Sequence, residues 1–118
     1  MGLIAGIDTV FYQVCNMERA LGFYRDTLGL DLLHREGGDY ALLSAGAINL
    51  TLTGELAVAP QKGGATVVFA TTQLDDLIVA LNAAGTVVGK VQDIGGGRSL
   101  DIYDPDGNEL VVIEEATA

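Results

Sequence analysis

Apolar and polar positions divide the chain into two similar runs. Residues 7–14, Ile-Asp-Thr-Val-Phe-Tyr-Gln-Val, are rich in β-branched and aromatic side chains and predict a strand. Asn16 can cap a helix, and Met17, Ala20, Leu21, Tyr24 and Leu28 then recur at helical spacing to make one apolar face. Gly29 stands where a left-handed C-terminal cap is wanted. Three short strands are expected near 31–36, 39–44 and 47–53, punctuated by Gly37-Gly38 and Gly46.

Residues 54–64 read as a connector, and the same order then resumes. A strand is expected at 65–71. A helix capped by Thr72 follows, with the apolar stripe Leu74, Leu77, Ile78 and Leu81, and Gly85 ends it. Further strands are expected near 86–91, 98–103 and 109–114. Shifting the first half by 57 residues lays Thr9 on Thr66, Met17 on Leu74, Leu21 on Ile78 and Tyr24 on Leu81. This predicts an internal duplication of a β-α-β-β-β unit. The fold class is therefore α+β, a single domain over 1–118 made of modules 1–53 and 65–118. Successive strands joined by tight glycine turns favour antiparallel pairing over a parallel α/β sheet.

Composition narrows the function. Hydrophobic residues form 49% of the 118-residue chain and charged residues 19%, which excludes a disordered chain. Sixteen acidic against six Lys and Arg residues give a net charge of −10. Nucleic-acid phosphates would repel such a surface. No apolar run is long enough to span a membrane, and the first residues lack the basic start of a signal peptide. A cytoplasmic protein is the expectation. The lone Cys15 can form no internal disulfide and is expected to be a buried thiol. His34, the only histidine, is expected at the surface or a rim, since one histidine cannot build a His-rich metal site.

Three segments carry a family resemblance. They are Met17-Glu18-Arg19-Ala20-Leu21-Gly22-Phe23-Tyr24-Arg25-Asp26-Thr27-Leu28-Gly29-Leu30, the helix end Leu81-Asn82-Ala83-Ala84-Gly85, and Asp104-Pro105-Asp106-Gly107-Asn108-Glu109-Leu110. With the duplicated element order, the chain resembles the vicinal oxygen chelate superfamily of glyoxalase I, bleomycin-resistance proteins, fosfomycin-resistance enzymes and extradiol dioxygenases. The resemblance implies two modules forming a curled mixed or antiparallel sheet around a cleft, helices on the outer face, and a homodimer. The third segment also has a purely local reading: Asp-Pro-Asp-Gly is a tight turn, with proline fixing φ and glycine taking positive φ.

Metal-dependent members of that family place four ligands at positions that correspond here to Thr9, Asn49, Thr66 and Val111. None is a histidine or a carboxylate, so no metal or other cofactor is expected. Strand alternation puts Asp8 and Glu114 on the opposite sheet face. With Thr9 toward the cleft, the same alternation gives a lining of Thr9, Phe11, Gln13, Ala47, Asn49, Thr51, Thr53, Thr66, Val68, Ala70, Ser99, Asp101, Tyr103, Glu109, Val111 and Ile113. Such a mixture of apolar walls and neutral polar groups suits a small-molecule pocket. Arg98, in the Gly95-Gly96-Gly97-Arg98 hairpin, is a cation that could meet an anionic ligand. The first functional reading is a metal-free small-molecule-binding protein of the bleomycin-resistance kind, holding a polar or cationic ligand. The alternatives are a glyoxalase- or dioxygenase-like enzyme, with an atypical metal site or with Asp101 or Glu109 as general base, and a non-catalytic assembly module.

Overall fold

The computed structural model describes residues 2–3, 7–54 and 67–115. The chain divides into two compact units, Met1–Ala57 and Val58–Ala118. The expected connector beyond Gly54, the first two residues of the expected strand at 65–71, and with them Thr66, lie outside the described residues.

In the first unit, β1 (Thr9–Gln13) leads into α1 (Met17–Leu21), then β2 (Asp31–Glu36), β3 (Tyr40–Ala45) and β4 (Ile48–Thr53). The sheet order is β1-β4-β3-β2, with β1 parallel to β4 and the other pairs antiparallel. The second unit repeats this plan. β5 (Val68–Ala70), α2 (Leu74–Ala83), β6 (Gln92–Asp93), β7 (Gly97–Tyr103) and β8 (Glu109–Glu115) form a sheet of order β5-β8-β7-β6. The fold is α+β, as expected, with two separate four-stranded mixed sheets, neither of them closed. No strand covers 86–91; only an isolated bridge joins Val88 to Ile102, and the short β6 follows it.

In each unit one sheet face packs its apolar residues with the helix. In the first these are Ala41, Leu43, Leu50 and Leu52, with Met17, Ala20, Leu21, Phe23 and Tyr24 from the helical segment, all buried. In the second they are Leu100, Ile102, Leu110 and Val112, with Leu74 and Leu81. Leu77 and Ile78 of the expected stripe are only half-buried.

The first helix departs from a simple α-helix. Asn16 caps it as expected, its Oδ1 accepting from the Arg19 amide at 3.0 Å. After Leu21, however, Gly22–Thr27 is π-helical, and Thr27 Oγ1 donates to the Gly22 carbonyl five residues back. Phe23 and Tyr24 are both buried here, their rings 4.9 Å apart and edge to face. Gly29 closes the segment at φ +83°, a conformation that costs a glycine little.

The second helix is capped differently from the expectation. Its cap residue is Gln73, which makes no side-chain cap bond, rather than Thr72. The acceptor comes instead from β8, forty residues on, where Glu114 Oε2 takes the Leu74 amide at 2.8 Å.

Candidate functional site

The open face of the first sheet is built by cross-strand register. Thr9 pairs with Asn49, Asn49 with Ser44, and Ser44 with Asp31. Phe11, Thr51, Leu42 and His34 form a second row, and Gln13, Thr53, Tyr40 and Glu36 a third. Paired residues project to the same side of a sheet, so these twelve share one face, opposite the buried leucines. A depression of about 510 Å³ lies on it, lined by Asp8, Thr9, Phe11, Tyr40, Leu42, Asn49, Thr51 and Thr53.

Its floor is internally bonded. Thr9 Oγ1 donates to the Asn49 carbonyl at 3.1 Å and lies 2.8 Å from Thr51 Oγ1. With the Thr9 proton on Asn49, the Thr51 hydroxyl donates to Thr9. Thr51 is buried, so this chain satisfies a polar group that would otherwise be costly to desolvate. Phe11, by contrast, is 55% exposed, a large apolar ring left at the depression's wall.

Thr9, Phe11, Asn49, Thr51 and Thr53 are thus brought together in this depression, while Gln13 shares the face without lining it and the expected Ala47 is not among the lining residues. Three residues absent from the expected lining also contribute. Asp8 belongs to it, contrary to the alternation argument, because β1 begins only at Thr9 and strand parity does not extend back to Asp8. Tyr40 and Leu42 sit in the run Tyr-Ala-Leu-Leu, whose apolar character hides its alternation. The signal that finds them is the burial of Ala41 and Leu43.

In the second unit, register sets Asp101 beside Val111 and Val111 beside Val68, Ser99 beside Ile113, and Tyr103 beside Glu109. Val68, Ser99, Asp101, Tyr103, Glu109 and Val111 therefore share the open face of that sheet. A hollow of about 660 Å³ along β5 takes in Val68, Ala70, Thr71, Thr72, Ile113 and Glu115, of which Val68, Ala70 and Ile113 belong to the expected lining. Asp101 and Glu109, the expected general-base candidates, are both exposed rather than enclosed by apolar walls. Tyr103 Oη donates to Glu109 Oε2 at 3.3 Å. The negative charge of Glu109 and this bond push the phenol pKa up, so Tyr103 stays protonated as a donor.

Arg98 does not serve that face. Its guanidinium bonds Glu114 at 2.6 Å and Asp75 at 3.0 Å, locking β7 and β8 to the start of α2. The Leu74 amide, followed by Arg98, holds the Glu114 carboxyl below the usual carboxylate range. Cys15 is exposed, not buried, since it follows β1 at the surface just before the helix cap. Asp104 is buried in the Asp-Pro-Asp-Gly-Asn turn. Its Oδ1 accepts from the Asp106 and Asn108 amides at 2.9 and 2.8 Å, and its Oδ2 from Asn108 Nδ2 at 2.8 Å.

Of the positions that the resemblance assigns to metal ligands, the three among the described residues do not fit a divalent ion. Val111 has no donor atom, the Thr9 hydroxyl is committed to its neighbours, and Asn49 offers one neutral amide. Among the described residues no three His, Cys, Asp or Glu side chains converge.

This duplicated β-α-β-β-β plan, with an open sheet face in each unit, is that of the Glyoxalase/Bleomycin resistance protein/Dioxygenase superfamily. The family's model matches residues 6–112, and the chain belongs to it. The metallothiol transferase FosB of Staphylococcus epidermidis is 30% identical over 115 residues, covering 92% of this chain and 82% of that one. Among solved structures, TnmS3, an antibiotic binding protein from Streptomyces sp. CB03234, superposes with a TM-score of 0.82 at 23% identity, over 98% of this chain and 100% of the other. Lactoylglutathione lyase from Agrobacterium tumefaciens gives 0.72 at 21% identity, over 96% of each.

Proposed function

We propose that this protein binds a small polar or cationic organic molecule on its open sheet faces and does so without a metal. The observation that carries this reading is the first unit's depression. It joins an exposed aromatic wall to a floor of neutral hydroxyl and amide groups, at the positions where metal-dependent relatives carry ligands. Thr9, Phe11, Asn49 and Thr51 would contact the ligand there, with Asp8, Tyr40 and Leu42. On the second face, Asp101, Ser99 and Tyr103 offer contacts of the same kind beside Val68, Glu109 and Val111. The likeness to an antibiotic binding protein supports sequestration as the role. A homodimer, the usual state in this superfamily, belongs to the same reading and is read by light scattering after size exclusion.

The test is a thermal-shift screen of the purified protein against polar and cationic organic compounds, beside Ni, Zn and Mn salts. A ligand of the folded state at a hundredfold excess over its Kd stabilises by about 2.7 kcal/mol, a readily seen rise in Tm. The expected result is a saturable shift with organic compounds and none with metals. Stoichiometric metal in the purified protein, with a metal-dependent rise in Tm, would overturn the reading. It would favour instead an enzyme of the kind to which FosB belongs.

A further inference from the structure

A β-bulge decides which side chains reach the outer corner of the first face. Along β2, Asp31 pairs with Ser44 and Leu32 with Leu43, but the register then shifts, so that His34 pairs with Leu42 and Glu36 with Tyr40. Leu33 is the extra residue and is 54% exposed. Plain alternation from Leu32 would turn His34 and Glu36 to the helix side and Arg35 to the open side. The bulge reverses this. Arg35 confirms it independently: its guanidinium reaches Glu18 of α1 at 2.7 Å, on the helix side.

The corner so formed is a cluster of three groups. The His34 and Tyr40 rings lie 5.7 Å apart at 50°. Glu36 Oε1 stands 3.6 Å from His34 Nε2, and both side chains are more than half exposed. Tyr40 is also a wall of the depression. Across the three rows of this face the charged side chains are Asp31 and Glu36, with Asp8 at the depression's edge and no Lys or Arg among these described residues.

Resting on the proposed binding role, we infer that the Tyr40–Glu36–His34 corner selects a planar aromatic cation. The ring of such a guest lies along Tyr40 and Phe11, where a cation is attracted to the aromatic faces. Its N–H groups are met by the Glu36 carboxylate, a charge-assisted bond. His34 acts as a positioning residue that holds Glu36 beside Tyr40.

The probe is p-aminobenzamidine, with neutral 4-aminobenzamide as its isostere, titrated into the intact protein and followed by calorimetry and by amide and aromatic NMR signals. The expected result is tighter binding of the cation, with shifts at Phe11, Tyr40 and Glu36. Glu36→Gln should weaken the cation about fivefold, the upper reach of an exposed ion pair, and leave the amide unchanged. His34→Ala should cost part of that preference and His34→Gln restore some of it. Glu18→Gln removes the same charge from the opposite side and should leave both affinities as they were. Equal losses in Glu36→Gln and Glu18→Gln would overturn the inference, since only long-range charge would then act. So would binding of the probe elsewhere, or of neither compound. The binding role itself fails separately, if no compound of the wider screen perturbs either face or if the metal result described above is obtained.

Discussion

At the scale of single residues, Asp104 shows how a conspicuous motif can be structural. Its carboxylate sits 5% exposed and accepts three hydrogen bonds from the turn that follows it, while the Gly107 amide returns to its carbonyl at 3.0 Å. Gly107 takes φ +84°, which a side chain would resist. The turn aims β8 back along β7, and so fixes which of its residues meet Asp101 and Tyr103. Asp104→Ala should leave the Asp106 and Asn108 amides without their acceptor and destabilise the fold by about 1.5–3 kcal/mol. Urea unfolding measures this directly. A loss within about 0.5 kcal/mol, as for an ordinary surface site, would mean that water or the backbone replaces the carboxylate. Ligand affinity at the first face should be unchanged, because the turn belongs to the other unit.

At the scale of elements, what could be read from the sequence and what could not separate by range. The first helical segment announced its cap in Asn16 and its close in Gly29, both local signals, and the shared face of Thr9 with Asn49 and of Asp101 with Val111 follows the period of two. Three features depended on partners or irregularities that no local pattern carries. The π-helical turn over Gly22–Thr27 interrupts the helical spacing that the apolar stripe predicts through Leu28. The β2 bulge turns His34 outward. Glu114 caps α2 from forty residues away. This last device has a pH signature. Because the Leu74 amide and Arg98 lower the Glu114 pKa in the folded state, its contribution is full above the ordinary carboxylate range. It is lost as pH falls through the lowered value. Glu114→Gln should therefore melt below the wild type near neutral pH, and the gap should close on acidification. Parallel Tm curves between pH 3 and 7 would show that the carboxylate contributes nothing specific to the docking of α2.

At the scale of the whole molecule, charge dominates. No helix among the described residues is long and apolar enough to cross a membrane, and the chain carries a net charge of −10. A field of that sign draws cations from beyond contact distance and is screened over roughly 8 Å at physiological salt. Long-range attraction acts mainly on the approach of a ligand, whereas contacts such as Tyr40 and Glu36 act on its departure. The two contributions therefore separate in a salt series. For p-aminobenzamidine, the association rate measured by stopped flow should fall on the order of tenfold between low and high salt, while the dissociation rate changes little. For the neutral 4-aminobenzamide both rates should stay flat. Asp101→Asn, on the second face, removes one charge of the field and should lower the cation's association rate slightly at low salt. A marked rise in its dissociation rate would place the guest on the second sheet. A salt effect confined to dissociation would mean that the global charge has no part in capture, and that the corner around Glu36 does the selecting alone.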